Sequence, residues 1–220
     1  MRFIVSFLLA IVTVLPVFSQ ENLKGISISH YVFPEFKQGT VLKKSGETQK
    51  ALLNYNTLTQ EMIFDHNGTK LALAQINTID TVYIDGRKFT PVDSIFYEVA
   101  DTKTNTPLFI QHKSTVTGPG ASVGYGSSTQ SSSATSLSSY SGSGIGKTIY
   151  NLKLPDEYKV KSQKQFFLKK DNRFIKINNL KSVQRLFKDK AEEIKTFAVT
   201  NHTNFNDVED LIALINYISK

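Results

Sequence analysis

The chain has 220 residues, no cysteine and a formal net charge of +7 at pH 7. Without cysteine it can form neither a disulfide nor a lipid-modified N-terminal cysteine, which excludes the small disulfide-stabilised scaffolds. A chain of this length and of ordinary globular composition is long enough to be stabilised by a hydrophobic core alone.

Residues 1–19 predict a secretory signal peptide. Arg2 precedes an apolar run of about a dozen residues, Pro16 ends the run, and a small-residue cleavage site follows at Ser19. The run is shorter than the ~20 residues that a membrane-spanning helix needs. We therefore expect an exported protein that is cleaved after Ser19 and has no transmembrane segment after cleavage.

Residues 20–113 predict an antiparallel β domain. Asn67-Gly68 separates two apolar stretches, and this pair accepts the positive φ angles of a tight type I′ hairpin turn. Asp85-Gly86 repeats the pattern, and weaker turn signals surround Ser45-Gly46 and 101–107. About eight strands joined by short turns indicate a sandwich, a roll or a small barrel. Because no stretch of helical period interrupts them, a doubly wound α/β fold is disfavoured.

The composition changes after the β domain. Residues 114–148 are dominated by Ser, Gly and Thr, and they predict a flexible loop or linker because they cannot bury enough apolar surface to offset the entropy of ordering. Residues 149–177 then predict one strand and a β-hairpin that turns at Asp171-Asn172.

Residues 178–220 predict a helical C-terminal subdomain of three short amphipathic helices. In the last of them Asn206 is expected to be the N-cap, with Glu209 three positions later completing a capping box. The fold class is therefore α+β, with an antiparallel β-rich domain followed by a small C-terminal helical cap.

The positive charge is concentrated in the C-terminal third. Residues 20–146 hold ten Lys and Arg against ten Asp and Glu, whereas residues 147–220 hold fifteen against nine. Such an asymmetry can mark an acidic partner. The basic residues nevertheless alternate with acidic ones, which favours a lysine-rich solvated surface.

Two glycine-rich segments match functional motifs, but the sequence around them does not predict the secondary structure that these motifs need. Gly146-Lys147-Thr148 looks like the end of a phosphate-binding loop, but Ser141 stands where its first glycine belongs and no helix is predicted after it. Gly120-Ala121-Ser122-Val123-Gly124 fits the nucleophile elbow of hydrolases, which needs a strand before it and a helix after it. Neither the strand nor the helix is evident, so we expect no nucleotide site and no catalytic Ser122. Because the basic residues of the C-terminal third alternate with acidic ones, we also expect no nucleic-acid partner.

The other reactive residues form no recognisable constellation. The carboxylate pairs Asp156-Glu157 and Glu192-Glu193 are sequence neighbours, so their side chains diverge and do not suit acid/base catalysis. The Tyr and Phe residues of the β domain are more typical of a core than of an exposed platform for sugars or bases. The histidines lack the spacing of metal ligands; they are His30, His66, His112 and His202. No catalytic, cofactor-binding or metal-binding residue is predicted.

The runs FPEFKQGTVLKKSGETQKALLNYNTLTQEMIFDHNGTK and FNDVEDLIALINYISK resemble an uncharacterised family of exported proteins from Bacteroidota-type Gram-negative bacteria. The resemblance covers nearly all of the mature chain, including the Ser/Gly-rich insertion, and brings no assigned activity. It implies a location in the periplasm or on the outer cell surface. It also implies that glycans could be attached at Asp-Ser/Thr-apolar tripeptides, which Asp80-Thr81-Val82 and Asp93-Ser94-Ile95 match.

The sequence thus predicts a non-enzymatic cell-envelope protein that acts as an interaction or structural module, with an unknown envelope protein or glycan as its partner. One alternative is a glycan-processing or other hydrolase whose site is assembled from distant residues such as His30, His112 and Glu98. Another is a binder of anionic surface polymer through the basic C-terminal third. An enclosed cleft in which reactive groups meet favours an enzyme, and a flat or aromatic-lined surface favours a module.

Overall fold

The computed structural model describes residues 30–100, 106–117, 121–123, 127–129, 134–135, 159–171 and 173–219. The predicted signal peptide, the Gly146-Lys147-Thr148 motif and the strand expected at 149–155 lie outside the described residues. In the part of the chain that is described, no helix has the length and apolar character to cross a bilayer.

Most of the described β-strands belong to one long antiparallel sheet. In chain order the strands are β1 (Lys37–Lys43), β2 (Thr48–Asn56), β3 (Glu61–His66), β4 (Thr69–Ala72), β5 (Ile79–Ile84), β6 (Arg87–Val92), β7 (Ile95–Ala100), β8 (Leu108–Thr117), β9 (Ala121–Val123), β10 (Ser127–Thr129), β11 (Ala134–Thr135), β12 (Lys159–Lys170) and β13 (Arg173–Ile177). Their order in the sheet is β13-β12-β8-β7-β6-β5-β1-β2-β3-β4, with β11 also beside β8, and β9 pairs with β10 separately. The predicted β-rich architecture is confirmed.

The tight turns follow from local backbone chemistry. Asn67 and Gly68 have φ angles of 52° and 83°, and they join β3 to β4 in the predicted hairpin. Asp85 and Gly86, with φ angles of 51° and 75°, join β5 to β6 in the same way. Asp and Asn tolerate the left-handed region and glycine enters it freely, so these dipeptides favour the type I′ turn.

The sheet curls around a first hydrophobic core. In β5, Val82 and Ile84 are fully buried whereas Tyr83 between them is 42% exposed, so one face of the strand points inward. The curl brings the end of β2 to β8, where the backbone N–H of Ser114 donates to the carbonyl oxygen of Thr57 at 2.8 Å. The buried residues of this core are Phe33, Val41, Leu53, Tyr55, Met62, Ile79, Val82, Ile84, Phe89 and Phe96.

Three helices cover the other end of the sheet, and they are α1 (Leu180–Leu186), α2 (Ala191–Thr200) and α3 (Val208–Ile218). Their apolar stripes pack on β8, β12 and β13 and form a second core. Its buried residues are Leu108, Ile110, Phe166, Leu168, Ile177, Val183, Leu186, Ile194, Leu211, Leu214, Ile215 and Ile218. The amphipathic periodicity of the C-terminal sequence therefore identified the helical cap and the faces that it buries.

The N-cap of α3 lies one residue later than the sequence analysis predicted. Asp207 has an extended backbone, and its carboxylate accepts from the N–H groups of Glu209 and Asp210 at 2.9 and 3.2 Å. The cap prediction at Asn206 is wrong, because Asp is an equally good cap and stands directly before the first helical residue. The capping box is found at α1 instead, between Asn179 and Ser182.

The strand at the edge of the predicted linker is longer than its composition suggests. β8 continues past Lys113 to Thr117, where it pairs with Lys159 at the start of β12. Strands β12 and β13, on the far side of the Ser/Gly-rich segment, thereby extend the sheet of the β domain. The Asp171 turn between them, with a φ angle of 50°, confirms the predicted hairpin.

Candidate functional site

Three charged or titratable side chains meet on the inner face of the sheet. Arg87, Glu98 and His112 come from the neighbouring strands β6, β7 and β8. The strand register places Glu98 opposite Phe89 on one side and Ile110 on the other, so all three side chains share a face. We call these three residues the charged cluster.

Hydrogen bonds join the charged cluster through the carboxylate. Arg87 donates from Nε to Glu98 Oε1 at 2.7 Å and from a terminal nitrogen to Oε2 at 2.5 Å. His112 Nε2 lies 2.5 Å from the same Oε2. Because an ionised carboxylate only accepts, His112 Nε2 carries the proton of this bond. The 3.2 Å approach of Arg87 to His112 Nε2 then follows from two donors sharing one acceptor.

The charged cluster lies between the two hydrophobic cores. The Arg87 guanidinium stacks over Phe33 of the first core, 4.9 Å from the ring centroid. Ile110, opposite Glu98, belongs to the second core. The side chains of Glu98 and His112 are only 13% and 9% exposed, whereas that of Arg87 is 32% exposed. Arg87 therefore links the buried pair to solvent.

The surroundings of Glu98 hold it in the ionised form. Burial by itself would raise its pKa, but the hydrogen bonds from His112 and Arg87 and the positive charge of Arg87 outweigh burial and lower the pKa to about 2. A carboxylate that is satisfied in this way is a stable ion-pair partner rather than a proton carrier near neutral pH.

Tyr55 lies beside the charged cluster and is completely buried. Its ring stacks on Phe89 with centroids 5.9 Å apart and meets the ring of His112 edge-on at 6.4 Å. Burial raises the pKa of its hydroxyl far above the usual range. Among the described residues, this hydroxyl has no hydrogen-bond partner, so its desolvation is not compensated.

Replacing Tyr55 with phenylalanine should therefore leave the protein as stable or more stable, by about 1 kcal/mol, because the ring contacts remain and an uncompensated hydroxyl is removed. Urea denaturation of the Tyr55→Phe variant measures this difference. A matched substitution is Tyr83→Phe, whose side chain is 42% exposed and which should change stability very little. A loss of more than about 1 kcal/mol in Tyr55→Phe would mean that the hydroxyl has a partner.

An open cleft of about 880 Å³ lies next to the charged cluster. Residues of β8, β12 and β13 line it, together with Tyr31, Val32 and the loop before α3. The described lining residues include no Asp or Glu. The cationic side chains among them are Arg87, Lys113, Lys161, Lys164 and Lys176. We call this space the basic cleft.

The positions of Lys164 and His112 explain how the basic cleft arises. They stand opposite each other in the register of β12 and β8, on the same face as Ile110 and Phe166. The helices cover Ile110 and Phe166 in the second core but stop short of the next pair along the two strands. The inner face of the sheet is consequently open where His112 and Lys164 lie, and the cleft forms there.

The structure brings together two of the three residues that were named for a distant-residue site. Glu98 and His112 are hydrogen-bonded, and Arg87, which the sequence analysis did not single out, completes the cluster. His30 is also buried, and its carbonyl oxygen accepts from the backbone and the hydroxyl of Thr57. No sequence signal identified Arg87, because its partner is fixed by strand register rather than by spacing along the chain.

The remaining candidates lie apart from the charged cluster. His66 is exposed at the end of β3, His202 is exposed in the turn after α2, and Glu192 and Glu193 are exposed in the first turn of α2. Ser122 lies in β9, paired with β10. A strand at this point is not the strand-to-helix turn of a nucleophile elbow. Asp156-Glu157 lies outside the described residues.

The two tripeptides that match a glycan-attachment signal differ in access. Thr81 is only 3% exposed, and its hydroxyl donates to the carboxylate of Asp80 at 2.8 Å. Ser94 is exposed in the turn between β6 and β7. Of the two hydroxyl groups, that of Thr81 is buried and already hydrogen-bonded, whereas Ser94 is accessible in the folded protein.

Aromatic residues occur both in the core and at the outer surface. Phe33, Tyr55, Phe89 and Phe96 are buried, as predicted for a β core. On the opposite face of the sheet, a second set forms a cluster with ring centroids 4.7 to 5.5 Å apart, in which Phe109 is buried and the other three are partly exposed. Its members are Tyr97, Phe109, Phe167 and Phe174.

Within the described ranges, no group of three or more His, Cys, Asp or Glu side chains could hold a metal ion. The chain matches no protein-family model, no curated protein and no solved structure.

Proposed function

We propose that this chain is an exported, non-enzymatic binding module of the cell envelope whose basic cleft holds an anionic partner. The observation that carries the proposal is the lining of the cleft: Lys113, Lys161, Lys164 and Lys176 border it from both faces of the sheet, and no Asp or Glu is among its described lining residues. Charges of one sign in a concave surface reinforce one another and attract ligands of the opposite sign. The cleft is open, which suits a polymer or an extended chain.

The state of the charged cluster supports binding rather than catalysis. Both oxygens of Glu98 already accept hydrogen bonds, and its pKa is lowered to about 2. A general base works best when its pKa lies near the operating pH, so Glu98 is a poor base near neutral pH. The cluster instead holds Arg87 at the edge of the cleft in an ion pair with Glu98, so these two charges offset each other and the lysines carry the positive charge of the cleft.

The N-terminal sequence supports export. Residues 1–19 have the charge, apolar run and small-residue site of a signal peptide, and a chain without cysteine is compatible with an oxidising compartment. The periplasm or the outer surface of a Gram-negative cell is accordingly the location that we propose. Acidic glycans and acidic protein segments are anionic partners of suitable chemistry there.

The test is retention of the chain, without residues 1–19, on a sulfated polysaccharide matrix. We expect retention at low salt that is lost near 0.15 M, where the reach of exposed charges falls to ~8 Å. The triple variant Lys161→Gln, Lys164→Gln, Lys176→Gln should bind about tenfold more weakly, since each lost contact costs about 0.5 kcal/mol. These side chains are exposed, so the fold should be unaffected.

The matched control removes the same charge elsewhere. Lys44, Lys188 and Lys195 are exposed and lie outside the cleft. Their triple substitution by glutamine should leave retention within about threefold of the unmodified chain. Equal losses in both variants would mean that net charge, not the basic cleft, causes retention. Absence of retention at low salt would also overturn the proposal.

The contact between His112 and Glu98 favours a hydrolase as the second candidate. A buried carboxylate that orients an imidazole beside a cleft is an arrangement found in acid/base catalysis. A panel of chromogenic glycosides and esters tests it. Turnover that is abolished by His112→Gln but retained in the triple lysine variant would favour the hydrolase over the binding module. Absence of turnover across the panel agrees with the binding module.

A further inference from the structure

The basic cleft contains one open edge of a β-strand. Strand β13 pairs with β12 only from Phe166 to Lys170, because the chain leaves the sheet after Ile177, opposite Phe166. Strand β8 pairs with the other side of β12 from Lys159 to Leu168. Residues 159–165 of β12 therefore have a described neighbouring strand on one side only. We call these seven residues the open edge.

The open edge runs along the basic cleft. Residues 161–166 of β12 all line it, as do Asn178 just after β13 and Phe205 in the loop before α3. The cleft continues the line of β13 from the point where that strand ends. A segment lying there would occupy the position that β13 occupies further along β12.

An unpaired edge offers backbone groups for recognition. Alternate residues of an edge strand direct their N–H and C=O groups away from the paired neighbour, so they can bind an added strand. At about 3.3 Å per residue the open edge is ~23 Å long. Several main-chain hydrogen bonds fit along that length, which is the basis of recognition by strand addition.

The side chains around the open edge select for an acidic segment. Its residues 161–165 are Lys, Ser, Gln, Lys and Gln, and Lys176 and Lys113 add further positive charge along the same cleft. Lysines on an edge strand discourage pairing with a neutral or basic strand, including a second copy of this edge. The same lysines attract an acidic strand. They therefore disfavour neutral or basic partners and favour acidic ones.

We infer that the partner in the basic cleft is an extended acidic peptide segment, which pairs with the open edge of β12 as an added strand. The inference rests on the proposed function, since it assumes that the cleft is a binding site for anions. It goes further by assigning recognition to the backbone as well as to charge. A flexible anionic polymer without amide groups would satisfy the charges but not the open edge.

The experiment uses a fluorescent peptide of about eight residues that alternates Thr and Glu, a length matched to the open edge. Its affinity for the chain lacking residues 1–19 is measured by anisotropy at low salt. Two further peptides carry backbone N-methyl groups, one on all Thr residues and one on all Glu residues. In an added strand only alternate N–H groups face β12, so one methylated peptide should bind at least about tenfold more weakly and the other within about threefold.

Polyacrylate of equal charge serves as the anion without amide N–H groups, and it should bind at least about tenfold more weakly than the unmethylated peptide. Equal affinity of the two methylated peptides would overturn strand addition. If polyacrylate also bound as tightly as the peptide, charge alone would explain binding, and the proposed function would stand without this inference. If neither peptide nor polyacrylate bound, both would fail.

Discussion

Replacing Glu98 with alanine should destabilise the folded protein by about 3 kcal/mol, because it leaves two hydrogen-bond donors without their shared acceptor. His112 and Arg87 both donate to this carboxylate. The His112 side chain is only 9% exposed, so little water can replace the lost partner. The cost of removing one member of a buried charged group exceeds the net stabilisation that the intact group provides.

The pH dependence of stability provides a more specific test of the same contacts. The pKa of Glu98 is lowered to about 2 in the folded protein, against about 4.3 in an unfolded chain. A lowered folded-state pKa contributes stability that is fully present above the unfolded value and is lost as the pH falls toward the folded one. The contribution of Glu98, about 3 kcal/mol, should disappear between about pH 4.5 and pH 2.

Urea denaturation at a series of pH values from acidic to neutral measures the destabilisation caused by Glu98→Ala and the pH dependence of stability that Glu98 contributes. Glu98→Gln keeps the size of the side chain but removes its charge. Between about pH 4.5 and pH 2, the free energy of unfolding of this variant should therefore fall by about 3 kcal/mol less than that of the unmodified chain. Glu47→Gln is the matched control, because Glu47 is exposed and forms a surface pair with Lys43. It should change stability by less than about 0.5 kcal/mol. Parallel pH profiles for Glu98→Gln and the unmodified chain would contradict the ionised state of this carboxylate.

Local chemistry made the strands and turns predictable. Asn67-Gly68 and Asp85-Gly86 adopt positive φ angles at low cost, so each dipeptide fixes a hairpin without help from distant residues. The apolar period of the C-terminal residues likewise determines which side of each helix is buried. Where two adjacent residues suit the same role, as Asn206 and Asp207 do for the cap of α3, the sequence alone does not decide between them.

The charged cluster and the basic cleft depend on long-range pairing. Glu98 and His112 could be suggested as partners from the sequence, but Arg87 joins them only because β6, β7 and β8 are consecutive neighbours with a particular register. The lysines of β12 and β13 belong to the basic C-terminal third, and they line the same cleft as Lys113 only because β12 pairs with β8 across the Ser/Gly-rich segment. Composition cannot supply that pairing, since neither strand has a local signal for its partner.

Gly39, in the middle of β1, is closely surrounded by atoms of the neighbouring strands. Its strand lies between β2 and β5, with Ala51 on one side and Ile84 on the other. A Cβ atom at this position would lie 2.6 Å from the carbonyl oxygen of Tyr83 and 2.8 Å from Cδ1 of Leu53. An isolated glycine within a strand pattern is a known sign of close backbone approach.

We expect Gly39→Ala to destabilise the protein by about 2 kcal/mol or more, because the neighbouring carbonyl group belongs to the backbone of β5 and cannot move without disturbing the sheet. In a strand without this crowding, the same substitution would stabilise the protein, since alanine restricts the unfolded chain. Thr40→Ala, at the adjacent half-buried position, is the control and should cost less than about 1 kcal/mol. Chemical denaturation of both variants shows whether each substitution raises or lowers the free energy of unfolding. A neutral or stabilising Gly39→Ala would mean that β1, β2 and β5 are not packed this closely around the first core.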